Sequence, residues 1–148
     1  MRICLVILWL VCNGQANAQK KALPVKVIDA TQQNWVSGAP GGRTGTKYSI
    51  KVYINTKQKV DFQNIWIGKE NVPFDVEFFS LDIPKKIQYG DSLLLTYNKV
   101  NNEVNEPGTR KRLPIQYKGA ALIETTLDGK ARYFIAKSFR IIAASKGQ

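Results

Sequence analysis

The chain has 148 residues, with 22 Lys and Arg against 11 Asp and Glu, a net charge of +11 at neutral pH, and no histidine. Its hydrophobic fraction of 44% is that of an ordinary globular protein and excludes wholesale disorder. The two cysteines, Cys4 and Cys12, both stand near the start, so the remainder lacks the usual soft metal ligands, the cysteine nucleophile and the histidine base.

Arg2 is followed by an apolar run from Ile3 to Cys12 and a polar stretch ending Ala16-Asn17-Ala18. That order is the order of a secretory signal peptide over residues 1–18, with cleavage expected between Ala18 and Gln19. Residues 19–148 are then expected to form a single domain in the periplasm or outside the cell. Lipid attachment at Cys12 is the competing expectation, but such a signal wants a small residue where Val11 stands. No second apolar stretch approaches the roughly 20 residues of a membrane-crossing helix, so no transmembrane span is expected after cleavage. The surplus lysines favour anionic surfaces such as acidic glycans or anionic lipid, or simply keep the domain soluble. Export makes nucleic acid an unexpected partner.

Ala22 to Asp29 reads as a strand, with Leu23, Val25 and Val27 on one face and Pro24 restricting its first half to an edge. Thr31 to Asn34 is polar and reads as a loop or one helical turn. Trp35 to Thr46 holds four glycines and a proline in twelve residues, too many for a regular helix or strand. In Thr46 to Asn55, Tyr48, Ile50, Val52 and Ile54 alternate with Lys47, Ser49, Lys51 and Tyr53, the clearest strand of the chain. Phe62 to Ile67 is a further strand, with Trp66 expected as the plug between two sheets. Val72 to Leu81 is apolar on both parities, which predicts burial on both faces or a bulge.

Tyr89-Gly90-Asp91 is a turn, and Ser92 to Tyr97 is a strand with Leu93, Leu95 and Tyr97 aligned. Asn98 to Thr109 reads as a polar loop and Leu113 to Tyr117 as a short strand. Ala120 to Thr126 pairs with Lys130 to Lys137 around Asp128-Gly129, a strong hairpin signal, and Ser138 to Ala143 is a last strand. Seven to nine short strands without a three-turn amphipathic helix predict an all-β fold. The expected form is an antiparallel β-sandwich of immunoglobulin-like layout, with a small β-barrel as the alternative.

The segment Gly38 to Gly45 lacks the Gly-Lys-Ser/Thr ending and the following helix of a nucleotide-binding loop. Its glycines do leave backbone N–H groups free to point at an anion, and Arg43 suits a carboxylate or phosphate. The candidate ligand-binding residues are therefore Trp35, Gly41, Gly42, Arg43 and Tyr48, joined by the basic run Arg110, Lys111 and Arg112. The plainer reading is that the glycines make tight turns while Trp35 closes the end of the sandwich.

The pattern Trp35-x-x-Gly38-x-x-Gly41-Gly42-Arg43-x-Gly45-x-x-Tyr48, the Ile65-Trp66-Ile67 strand and the Asp128-Gly129 hairpin resemble a group of uncharacterised small exported proteins of Bacteroidota-type bacteria. The resemblance implies export and a β-rich fold, and carries no activity.

Catalysis without His or Cys would rest on paired carboxylates, of which Asp75 and Glu77 share a strand face. Such a pair on an alternating strand is ordinarily a solvated face opposite lysines. For metals, Glu103 and Glu106 with the neighbouring asparagines form an oxygen-rich loop, but no calcium-loop spacing exists. No cofactor and no metal are expected. The leading expectation is a non-catalytic binding or assembly module of the cell envelope contacting an anionic, glycan or peptide ligand. The alternatives are a carboxylate-dependent hydrolase of envelope polymers, and a subunit that shares strands with a partner through an open edge.

Overall fold

The computed structural model describes residues 22–79, 86–101 and 111–146. The expected signal peptide over residues 1–18, the lipid signal at Cys12, the oxygen-rich loop with Glu103 and Glu106, and Arg110 lie outside the described residues. In chain order the strands are β1 (Val25–Val36), β2 (Thr44–Ile54), β3 (Val60–Ile67), β4 (Glu70–Val72), β5 (Asp75–Phe78), β6 (Ser92–Val100), β7 (Ala121–Leu127), β8 (Lys130–Ala136) and β9 (Arg140–Lys146).

They form a five-stranded sheet in the order β5-β6-β2-β1-β9 and a four-stranded sheet in the order β4-β3-β7-β8. Neither closes on itself, so the fold is a β-sandwich and not a barrel. In immunoglobulin lettering β5-β6-β2-β1 occupy the places D-E-B-A, and β4-β3-β7-β8 the places C′-C-F-G. Strand β9 is an addition that runs parallel to the second half of β1, pairing with Thr31 to Val36.

Alternation sets the faces. Ile50, Val52 and Ile54 of β2 and Leu93 and Leu95 of β6 point inward against Val60, Ile65, Ile123 and Leu127 of the second sheet, and all are buried. Each such side chain is worth roughly 1.5–3 kcal/mol when fully removed from water. In β1 the pairing with β2 slips between Val27 and Asp29, leaving Ile28 as the extra residue of a bulge. The bulge shifts the inward row from Val25 and Val27 to Ala30, which is why these apolar positions change parity along the strand.

Four expectations are corrected. Thr31 to Asn34 is neither loop nor helical turn, because β1 continues through it to Val36 against β2 and β9. Two-sided pairing supplies the backbone order that its polar side chains do not advertise. Val72 to Leu81 is not one strand: the chain crosses between sheets after Val72, the core-packed Val72, Phe74, Val76 and Phe78 share one parity, and Phe79, of the other parity, follows β5 and is exposed. Leu113 to Tyr117 bends at Pro114 and Ile115 and is not a strand.

Trp66, finally, is buried but not between the sheets. The slip between Phe62 and Asn64 turns Trp66 to the outward face of the second sheet, beside Leu122, which alternation already places there. There residues 111–120 cross over them as a strap. The Trp66 Nε1–H donates to the Lys111 carbonyl at 3.2 Å, and the Tyr117 hydroxyl donates to the Gly68 carbonyl at 2.8 Å. Burial pushes the Tyr117 phenol above its usual pKa, partly offset by that hydrogen bond. Gly119 lets the strap close: a Cβ there would stand 2.5 Å from an Ile135 methyl and 2.8 Å from the Ala136 carbonyl.

Candidate functional site

The glycine-rich segment is shorter than its composition suggests. Only Ser37 to Arg43 lie between β1 and β2, tied by Ser37 N–H to the Arg43 carbonyl and Gly42 N–H to the Ala39 carbonyl, both at 2.8 Å. Gly41 takes the left-handed conformation at φ 70°. Gly45 is already inside β2, opposite Trp35, and a Cβ there would stand 2.5 Å from the indole. The half-buried Trp35 therefore lies across Gly45 on the outward face of the first sheet.

Tyr48 points the other way. It stacks on Tyr97 with centroids 6.1 Å apart and planes 11° apart, and meets Phe139 at 5.1 Å. This trio closes the end of the sandwich from within. Burial, then the charge of Glu70, holds the Tyr97 phenol above its usual pKa. Arg43 is exposed at the loop's return. Lys111 and Arg112 are exposed on the strap over the opposite sheet. Trp35 and Tyr48 thus occupy opposite faces of one sheet, and Lys111 and Arg112 the far side of the sandwich. The candidate residues do not converge.

Among the described residues, two of the larger concavities lie along the sides. One, of about 770 Å³, opens between β3 and β5 over Val60, Phe62, Val76 and Phe78. Its rim carries Lys57, Lys59 and Lys86, with Lys59 paired to Asp61 at 3.1 Å.

The other, of about 650 Å³, separates the first half of β1 from β8. Its walls include Val25, Val27, Ala30, Phe134 and Ala136, and three exposed large hydrophobics border it: Leu23 (62%), Ile28 (48%) and Ile135 (39%). Asp29 is the carboxylate of this cleft; it accepts a hydrogen bond from Ala30 N–H at 2.9 Å and pairs with Arg140 at 2.6 Å. Lys26 and Lys137 border the cleft and are exposed. On the outward face beside it, Glu124 accepts from Asn64 Nδ2 and from the Tyr133 hydroxyl at 3.3 Å. Burial first, and then this carboxylate, raise the Tyr133 pKa.

Sequence reasoning passed over this cleft. Its one signal was the change of parity around Ile28, which marks a bulge and hence an irregular strand edge. Among the described residues no group of three or more metal-ligating Cys, His, Asp or Glu side chains comes together, and no helix is long and apolar enough to cross a membrane. No protein-family model, curated protein or solved structure matches this chain.

Proposed function

We propose that this chain is an exported, non-catalytic binding or assembly module of the cell envelope, which holds a protein partner along the side between β1 and β8. The observation that carries the reading is the apolar cleft there, with Leu23, Ile28 and Ile135 left exposed beside it. Clustered exposed apolar side chains rimmed by polar ones mark interaction surfaces, whereas isolated ones do not. Export rests on the order of residues 1–18.

The non-catalytic reading rests on the residue inventory and on the placement of the acids. The chain has no histidine. Asp75 and Glu77, the pair a hydrolase would use, are both exposed on the outward face of β5, with Glu77 accepting from Thr96 Oγ1 at 3.0 Å. The cleft's carboxylate, Asp29, is held by Arg140. Neither Asp75 with Glu77 nor Asp29 is thus set as an acid and base facing one substrate, which supports the non-catalytic reading.

The test is site-specific photo-cross-linking in the cells that make the protein. A photoreactive residue at Ile28 is expected to give one discrete adduct, and the same residue at Lys51, on the outward face of β2, none. Equal adducts from both positions, or none from Ile28, contradict the reading.

A further inference from the structure

Sheet edges expose unpaired backbone donors and acceptors, and the edges of this sandwich differ in their capacity to take another strand. Strand β4 has three residues and β5 has four, too short to template a stable pairing. The first half of β1 carries the Ile28 bulge, and β9 changes register against β1 between Gln33 and Trp35. Strand β8 differs from all of these. It has seven residues, no proline, and an unbroken register against β7 from Ala121↔Ala136 to Leu127↔Lys130.

The hairpin turn fixes which β8 groups are free. Asp128 and Gly129 both have positive φ, 48° and 79°, the signature of a two-residue turn of the mirror-image type I. Leu127 and Lys130 then form a hydrogen-bonded pair, as do Thr125 and Arg132, and Ile123 and Phe134. Ala131, Tyr133 and Ile135 consequently aim their N–H and C=O groups away from β7. Among the described residues no strand pairs with β8 on that side.

We infer that the four-stranded sheet takes its fifth strand from a partner: an extended segment that pairs with β8, acidic where it lies beside Lys130 and Arg132 and apolar where it lies beside Phe134 and Ala136, which share one face of β8. This rests on the docking reading above and adds the mode and the chemistry of the partner. The apolar component follows from the cleft beside this edge, where Ile28 and Leu23 stay exposed. The acidic component follows from charge. Lys130, Arg132, Lys137 and Lys26 are exposed around the edge, whereas Asp29 is already neutralised by Arg140 and Glu124 is hydrogen-bonded on the outward face. A second copy is the poorer occupant. It would bring two chains of net charge +11 together along this lysine-rich edge.

The probe is a ten-residue synthetic peptide with threonine at every second position and, between the threonines, glutamate along one half and valine along the other, titrated against the protein by fluorescence anisotropy at low salt. Binding is expected, with a lysine-for-glutamate peptide at least ten-fold weaker. Bound peptide is expected to slow hydrogen exchange at Ala131, Tyr133 and Ile135. The variant Ala131→Pro removes an outward N–H at an edge that tolerates proline, and is expected to weaken binding at least ten-fold. Should that variant misfold, a peptide N-methylated on its β8-facing edge tests the same contact with the protein unaltered, and must fail to bind. Absent binding, indifference to N-methylation, or protection appearing at β9 overturns strand addition. The docking reading then still stands or falls on its own cross-link at Ile28.

Discussion

The glycine-rich end of the sandwich and its β1–β8 side make opposite use of unusual residues. At the glycine end the conspicuous aromatic residues are consumed by packing: Trp35 lies on Gly45, and Tyr48 on Tyr97 and Phe139. On the β1–β8 side the residues are ordinary, yet an apolar cleft stays open and a regular strand edge stays unpaired. Unusual composition therefore marks geometry here, and capacity for binding lies where bonding is incomplete.

The contrast predicts large stability effects at one end and small ones at the other. Gly45→Val should be severe, because backbone at Lys99 and the Trp35 ring both occupy the space of the new side chain. Overpacking of this kind costs about 1–3 kcal/mol or more, and chemical denaturation should show the loss at or above the top of that range. Tyr48→Ala should cost about 2–3 kcal/mol, below a fully buried aromatic deletion because Tyr48 is half-buried. On the other side, Ile28→Ser should change stability by less than about 0.5 kcal/mol while reducing partner cross-linking from a probe at Ile135. A large destabilisation by Ile28→Ser would erase the distinction between the two regions.

Thr125→Val provides a control that belongs to neither region. The Thr125 hydroxyl is buried with no hydrogen-bond partner in the structure, so the isosteric apolar side chain should raise stability by about 1 kcal/mol and leave partner cross-linking unchanged. The smallest effect concerns pH. With no histidine, stability should be nearly flat between about pH 6 and 8. The phenols of Tyr97, Tyr117 and Tyr133 are all raised in the folded state, chiefly by burial. Above about pH 10 the unfolded chain releases these protons first, so stability should fall as pH rises through that range. Thermal melts across pH 6 to 11 would show the plateau and the decline.

Much of the fold was legible because alternation survives wherever one face is wet. Tyr48, Ile50, Val52 and Ile54 announce β2, and Asp128-Gly129 announces the β7–β8 hairpin. The immunoglobulin-like order followed from strand number and spacing. Legibility failed where a tertiary contact overrode local pattern. Trp66 reads as an inter-sheet plug from its apolar neighbours, but the bulge before it, invisible in composition, turns it outward beneath the strap. The glycine segment misled in the same way, since Gly45 is a packing residue within a strand and not part of a loop. The β1–β8 cleft left little trace, because an unpaired backbone edge is a property of topology and not of side chains.

The central claim is that β8 presents a free, regular edge, and amide hydrogen exchange resolved by residue tests it most directly. In the free protein Arg132 and Phe134 should exchange slowly, held by β7, while Ala131, Tyr133 and Ile135 between them exchange fast. Uniform protection along β8 would mean that its outward groups already have partners, and would contradict the account.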